Sequence, residues 1–145
     1  MEAIVDHVAN HLATALDQER FKPLGMATGR TMEPFYAALI QRLATWPLPQ
    51  FEQLKRCWLS FNLDEYLGLP PEDSRSFAAY MHTQLGCHLD LSPCQLQLPD
   101  GMAKDPAEEA QRYESALHEA GGIGLQLLGL GGNGHVGFNE PPSQP

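Results

Sequence analysis

The chain has 145 residues, 43% of them hydrophobic and 19% charged, which suits one domain with a buried core. Eighteen Asp+Glu against nine Lys+Arg give a formal charge of −9, a field that repels DNA and RNA. No run of 18 apolar residues occurs, so no membrane helix is expected, and the acidic start MEAIVDHVAN lacks the basic region of a secretory signal. These features point to the cytoplasm. So do Cys57, Cys87 and Cys94, odd in number and without a CxxC pair, which read as reduced thiols. Cys87, His88 and Cys94 fit no familiar zinc spacing, and no metal is expected.

In chain order, Glu2 to Gln18 reads as a helix. Ile4, Val8, Leu12 and Leu16 recur every four residues, widened by Val5, Ala9 and Ala13. FKPLGMA then reads as a buried strand entering a tight turn at ATG. Met32 to about Trp46 reads as a helix with Pro34 in its first turn, where a missing N–H costs nothing, and with Phe35, Leu39 and Leu43 on one face. CWLSFNL, 57–63, is the next strand. After PPEDSRS, Ser74 or Ser76 caps a helix carrying Phe77, Tyr80, Met81 and Leu85. Residues 86–101 read as irregular. Asp105 as N-cap, Pro106 at N1 and Glu108 at N3 start a helix that buries Ala110, Tyr113 and Leu117 and stops at Gly121-Gly122. IGLQLLGL is the third strand.

Strands alternating with helices predict an α/β, Rossmann-like layered fold with a parallel sheet. Right-handed crossovers place every strand's C-terminal end on one edge, where ligands bind. The three most unusual stretches, ATGRT (27–31), NLDEY (62–66) and GGNGHVGFNEP (131–141), directly follow the three strands. Their common position predicts a single site.

Each stretch carries its own chemistry. In ATGRT, Gly29 permits close backbone approach and Thr28 and Thr31 supply hydroxyls. The following helix offers free N–H groups and a positive dipole end, a cradle for phosphate. In NLDEY the adjacent carboxylates of Asp64 and Glu65 point to opposite faces, so one of them reaches the site. A carboxylate at a half-buried strand end is a candidate general base. The third stretch contains Gly129-x-Gly131-x-x-Gly134, a dinucleotide fingerprint only if it opens a helix. HVGFNEPPSQP, with Gly137 and two prolines, cannot form one, so nucleotide binding is rejected. The glycines instead shape a loop presenting His135 and Glu140, a proton-transfer pair.

Together TGRT, NLDEYLGLP and GGNGHVGFNEP resemble the glucosamine-6-phosphate deaminase family, from about Leu24 to Pro141. The resemblance implies that Asp64 moves a proton between C2 and C1 through an enediol-type intermediate. It implies that His135 takes the ring hydroxyl proton and opens the pyranose, with Glu140 in support. Asn133 occupies a position where many members have aspartate, which leaves Glu140 as the expected orienting group. Thr28, Gly29, Arg30 and Thr31 match the phosphate-binding loop, although Arg30 stands where small residues are common and is assigned no role.

The family continues well past Pro145 with further strands and phosphate-gripping cations. Residues 1–145 are therefore expected to be the N-terminal portion of a larger single domain. The implied substrate is a small sugar phosphate, turned over with no metal or cofactor, no nucleic acid and no membrane; a homo-oligomer is compatible with this reading. Two alternatives stay open. One is a 6-phosphogluconolactonase-type hydrolase, which shares the fold and needs no C2 base. The other is an inactive truncated fragment that survives as a binding module.

Overall fold

A computed structural model of the chain describes residues 1–140; the prolines after Glu140 and the rest of PPSQP lie outside them. Four short strands form one parallel sheet. These are β1 (Leu24–Met26), β2 (Ser60–Asn62), β3 (Leu96–Gln97) and β4 (Leu125–Gln126), in the spatial order β3-β2-β1-β4. The register sets Leu24 beside Ser60 and Leu125, and Ser60 beside Leu96. Every residue of the two central strands is buried, as expected of a parallel sheet covered on both faces.

One face carries the main core. Helix α1 (Glu2–Asp17) packs on α2 (Glu33–Leu43). Their Val8, Leu12, Tyr36, Leu39 and Leu43 join Leu24 and Met26 in a single apolar cluster. Leu12 and Leu39 are fully buried, and truncating either to Ala costs about 2–5 kcal/mol. Ile4 is the exception in the expected stripe. It is exposed, because the buried face runs through Val5, Val8, Ala9, Leu12, Ala15 and Leu16 instead.

Three parts of the sequence reading are corrected. Residues 48–57 form a helix, α3 (Leu48–Cys57), with Pro49 in its first turn, so Cys57 ends a helix rather than opening a strand. The stretch 86–101, expected to be irregular, holds α5 (Cys87–Leu89), a 3₁₀ turn at Pro93–Gln95 and the edge strand β3. Ser92 and Gln95 cap that turn reciprocally. Among the described residues the strands therefore number four, where three were expected. Upstream, α4 (Phe77–Met81) is capped by Ser76, whose hydroxyl accepts from the Ala79 N–H at 3.0 Å. It continues through a π-helical turn at His82–Gly86 into α5.

Helix α6 (Pro106–Glu119) starts where Asp105 predicts. The Asp105 carboxylate accepts from the N–H groups of Ala107 and Glu108. It ends in Gly121 and Gly122, both at positive φ. Its inner face is not the expected one. Ala110 is exposed, and Tyr113 and Leu117 are half-buried. The buried residue is Glu109, held by Arg112 at 2.6 Å and by the Asp100 N–H at 2.8 Å. The helix is turned so that Glu109, Tyr113 and Ala116 face inward. Its anchor to the sheet is polar: the Tyr113 hydroxyl reaches the carbonyls of Asn62 and Gln97 at 2.8 and 3.0 Å, with its ring against Phe61.

Candidate active site

Because all four strands are parallel, the loops that follow β1, β2 and β4 emerge on one edge. They enclose a cavity of about 480 Å³. Each of the three stretches singled out in the sequence lines it: residues 27–31 from the first, Leu63, Asp64 and Tyr66 from the second, and His135, Gly137, Phe138 and Glu140 from the third.

The loop after β1 turns at Gly29, whose φ of +111° is open to glycine and strained for other residues. The Met32 N–H closes this turn onto the Gly29 carbonyl at 2.9 Å. Thr28 and Arg30 line the cavity, with Arg30 exposed.

The pair after β2 separates as expected but for another reason. Strand β2 ends at Asn62, Asp64 and Glu65 lie beyond it in irregular backbone, and the start of α4 draws Glu65 away. Asp64 is half-buried and lines the cavity. Burial pushes its carboxyl above the usual range, the Glu65 charge adds to that, and a hydrogen bond from the Phe138 backbone N–H opposes both. Glu65 turns away to cap α4. Its oxygens accept from the N–H groups of Phe77 and Ala78, each at 2.9 Å, and from Tyr66 at 2.7 Å. One carboxylate is thus left for chemistry and the other holds the scaffold.

The loop after β4 is folded by its glycines. The Gly131 N–H donates to the His135 carbonyl and the Gly134 N–H to the Gly131 carbonyl, both at 2.9 Å. The His135 imidazole lies where a side chain on residue 131 would project: a Cβ there would sit 2.2 Å from the ring. Nδ1 of His135 contacts Oδ1 of Asn133, and that oxygen also accepts from the His135 backbone N–H at 3.2 Å. Asn133 Nδ2 donates to Glu140 at 2.7 Å, while the Glu140 carboxylate lies 3.5 Å from the imidazole. A carboxylate accepts and a carboxamide oxygen accepts, so this chain of contacts puts the hydrogen on Nδ1 and leaves Nε2 as the basic nitrogen.

Seven of the eight expected site residues line the cavity: Thr28, Gly29, Arg30, Thr31, Asp64, His135 and Glu140. Asn133 stands behind His135 instead. It is the nearer partner of the imidazole, where Glu140 was the expected orienting group. Sequence reasoning missed the aromatic wall. Phe138 stacks on Phe77, with ring centroids 5.7 Å apart, and tilts against Tyr66 at 5.0 Å. Tyr66 and Phe138 stood in stretches already singled out. Phe77 arrives from α4, and no local pattern signals it. Among the described residues, no group of three or more His, Cys, Asp or Glu side chains is placed to hold a metal, and no helix is long and apolar enough to cross a membrane.

Residues 1–137 match the family model of glucosamine-6-phosphate isomerases and 6-phosphogluconolactonases. The chain belongs to that family. It is 43% identical over 142 residues to a glucosamine-6-phosphate deaminase of Hahella chejuensis, covering 98% of this chain and 52% of the relative. It is 48% identical over 118 residues to one of Shouchella clausii, covering 81% of this chain and 46% of that one. The chain thus spans about half the length of the curated relatives it matches. Among solved structures, a monomeric glucosamine-6-phosphate deaminase matches 97% of the chain and 55% of its own, with TM-score 0.77 and 37% identity. A 6-phosphogluconolactonase from Thermotoga maritima matches with TM-score 0.74 at 18% identity, a likeness of fold.

Proposed function

We propose that this chain belongs to an enzyme that converts glucosamine 6-phosphate and water to fructose 6-phosphate and ammonia. The observation that carries the reading is the half-buried carboxylate of Asp64 in a cavity that also presents His135. Opening an aldose needs a base at the anomeric hydroxyl, and isomerising it needs a second base at C2. Nε2 of His135 takes the anomeric proton and delivers it to the ring oxygen as the bond from C1 to that oxygen breaks. Asp64 then removes the C2 proton and returns it to C1, while one proton of the C2 ammonium passes to O1. The resulting C2 imine adds water and expels ammonia. The raised proton affinity of Asp64 suits a group that must both accept and return that proton. The phosphate sits on the 27–31 loop, and the aromatic wall of Tyr66, Phe77 and Phe138 covers an apolar face of the sugar. The names of the relatives support this reading, and a cytoplasmic location accords with a soluble sugar-phosphate substrate.

The test, made on the full-length enzyme to which this chain is proposed to belong, is ammonia release and solvent-deuterium incorporation during turnover of glucosamine 6-phosphate, assayed beside hydrolysis of 6-phosphogluconolactone. Lactone hydrolysis without ammonia release would replace the deaminase reading by the hydrolase one.

A further inference from the structure

The loop after β1 is held from behind by two tyrosines that neither the sequence motif nor the reaction accounts for. The Tyr36 hydroxyl, on a side chain with no exposed surface, donates to the Ala27 carbonyl. The half-buried Tyr80 hydroxyl, from α4, donates to the Gly29 carbonyl at 2.9 Å. The two rings meet edge to face, with centroids 6.3 Å apart.

Every peptide bond here is trans, so the N–H of each peptide plane points opposite to its carbonyl. Fixing the Ala27 carbonyl fixes the direction of the Thr28 N–H, and fixing the Gly29 carbonyl fixes that of Arg30. None of the N–H groups of Thr28, Gly29, Arg30 and Thr31 finds a backbone acceptor among the described residues, and all four residues line the cavity. A run of unpaired N–H groups with preset directions is an anion-binding concavity.

We propose that Tyr36 and Tyr80 are positioning residues that set the backbone N–H groups of Thr28 and Arg30 for a phosphate dianion. The proposal rests on the reading of 27–31 as the phosphate loop. Burial pushes both phenols up, Tyr80 to about 12, so both stay protonated donors at neutral pH. Tyr80 also links the two halves of the site. Its helix is fastened at the N-terminus by Glu65, the neighbour of Asp64, so the phosphate loop and the C2 base are placed by the same short helix.

The experiment uses the ¹⁵N-labelled chain titrated with inorganic phosphate at fixed ionic strength, following the amide signals of Thr28 to Thr31. In the wild type these signals move and saturate. Tyr80→Phe, which removes one hydroxyl from a half-exposed ring, weakens phosphate binding by about fivefold and shrinks the shift at Arg30. Tyr36→Phe does the same at Thr28. Tyr113→Phe is the control for general stability, because its hydroxyl serves the Asn62 and Gln97 carbonyls away from the loop; it lowers thermal stability and leaves phosphate affinity unchanged. Wild-type affinity in Tyr80→Phe, or equal weakening in Tyr113→Phe, overturns the proposal. Should Tyr36→Phe fail to fold, Tyr80→Phe decides alone. Wild-type loop signals that ignore phosphate would instead show that 27–31 is no phosphate loop, and the positioning role would fall with it.

Discussion

The imidazole Nδ1 of His135 rests on the side-chain oxygen of Asn133, and the same carboxamide gives its nitrogen to Glu140. Asn133 serves both neighbours in one orientation only, since the carboxylate needs a donor and Nδ1–H an acceptor. Asn133→Leu keeps the approximate volume and removes both bonds. Turnover of the closed pyranose is expected to fall about 10- to 100-fold, while an open-chain analogue reacts almost as before, because the loss lies in ring opening. Equal losses on the two substrates would place the role of Asn133 elsewhere.

Asp64→Asn is expected to stop isomerisation and to stabilise the fold near neutral pH. Loss of a general base costs about 10²–10⁴ in rate, read as loss of deuterium exchange at C2. The stability effect follows from linkage. The folded state binds the Asp64 proton more tightly than the unfolded chain does. Stability therefore falls as pH rises from the unfolded value through the raised folded one, and the cost persists above it. Asn carries no such cost. The variant should melt higher than the wild type near pH 7, and the difference should vanish in acid, where Asp64 is protonated in both states. A variant that melts lower at pH 7 and equally in acid would contradict the raised proton affinity.

Gly131→Ala tests the loop's packing directly. The new Cβ would sit 2.2 Å from the His135 ring, far inside contact distance, so the imidazole must leave its place. Turnover should drop by at least about 10²-fold, as when a catalytic group is displaced by an ångström. The melting temperature should scarcely change, because the loop lies outside the apolar core. Retained activity would mean that His135 works from another position.

Glu65→Ala should destabilise without touching the reacting atoms. The side chain accepts three backbone N–H bonds, two of them at the start of α4. Removing it leaves those donors unpaired and costs about 2 kcal/mol, readable as a shift in the urea midpoint. An unchanged midpoint would show that α4 is held by Ser76 and its apolar contacts alone.

The sequence showed most of the site and less of the scaffold, for physical reasons. ATGRT, NLDEY and GGNGHVGFNEP are legible because catalytic loops need residues that ordinary turns do not. The separation of Asp64 from Glu65 comes from the tertiary cap that Glu65 makes on α4, not from strand alternation, since both lie beyond β2. Helix α3 is missed because the sequence reading assigns nothing to residues 47–56, between the helix ending near Trp46 and the strand placed at Cys57, although Pro49 suits a first turn. Strand β3 was hidden because a two-residue edge strand has no room for a period; its place depends on Ser60 and Phe61 beside it. Helix α6 misled because Ala110, Tyr113 and Leu117 form a plausible stripe, yet the paired carboxylate of Glu109 is what faces inward. Tertiary polar contacts of that kind leave no mark in hydropathy.

The last prediction concerns the charge of the cavity. Arg30 is the one Lys or Arg side chain that lines it among the described residues, against the carboxylates of Asp64 and Glu140. Backbone N–H groups give a phosphate direction, but charge-assisted contacts give most of the strength. A net charge of −9 further opposes the approach of a dianion. Residues 1–145 alone are therefore expected to bind glucosamine 6-phosphate only in about the millimolar range, near −4 kcal/mol, and to release little ammonia. Arg30→Ala should weaken even that binding by about tenfold or more, the worth of one hydrogen bond to a charged group. Calorimetry and amide-shift titration of the two chains check both statements. Micromolar binding by residues 1–145 would mean that the N–H groups of the 27–31 loop suffice for the phosphate. Unchanged affinity in Arg30→Ala would mean that the exposed guanidinium plays no part in holding it.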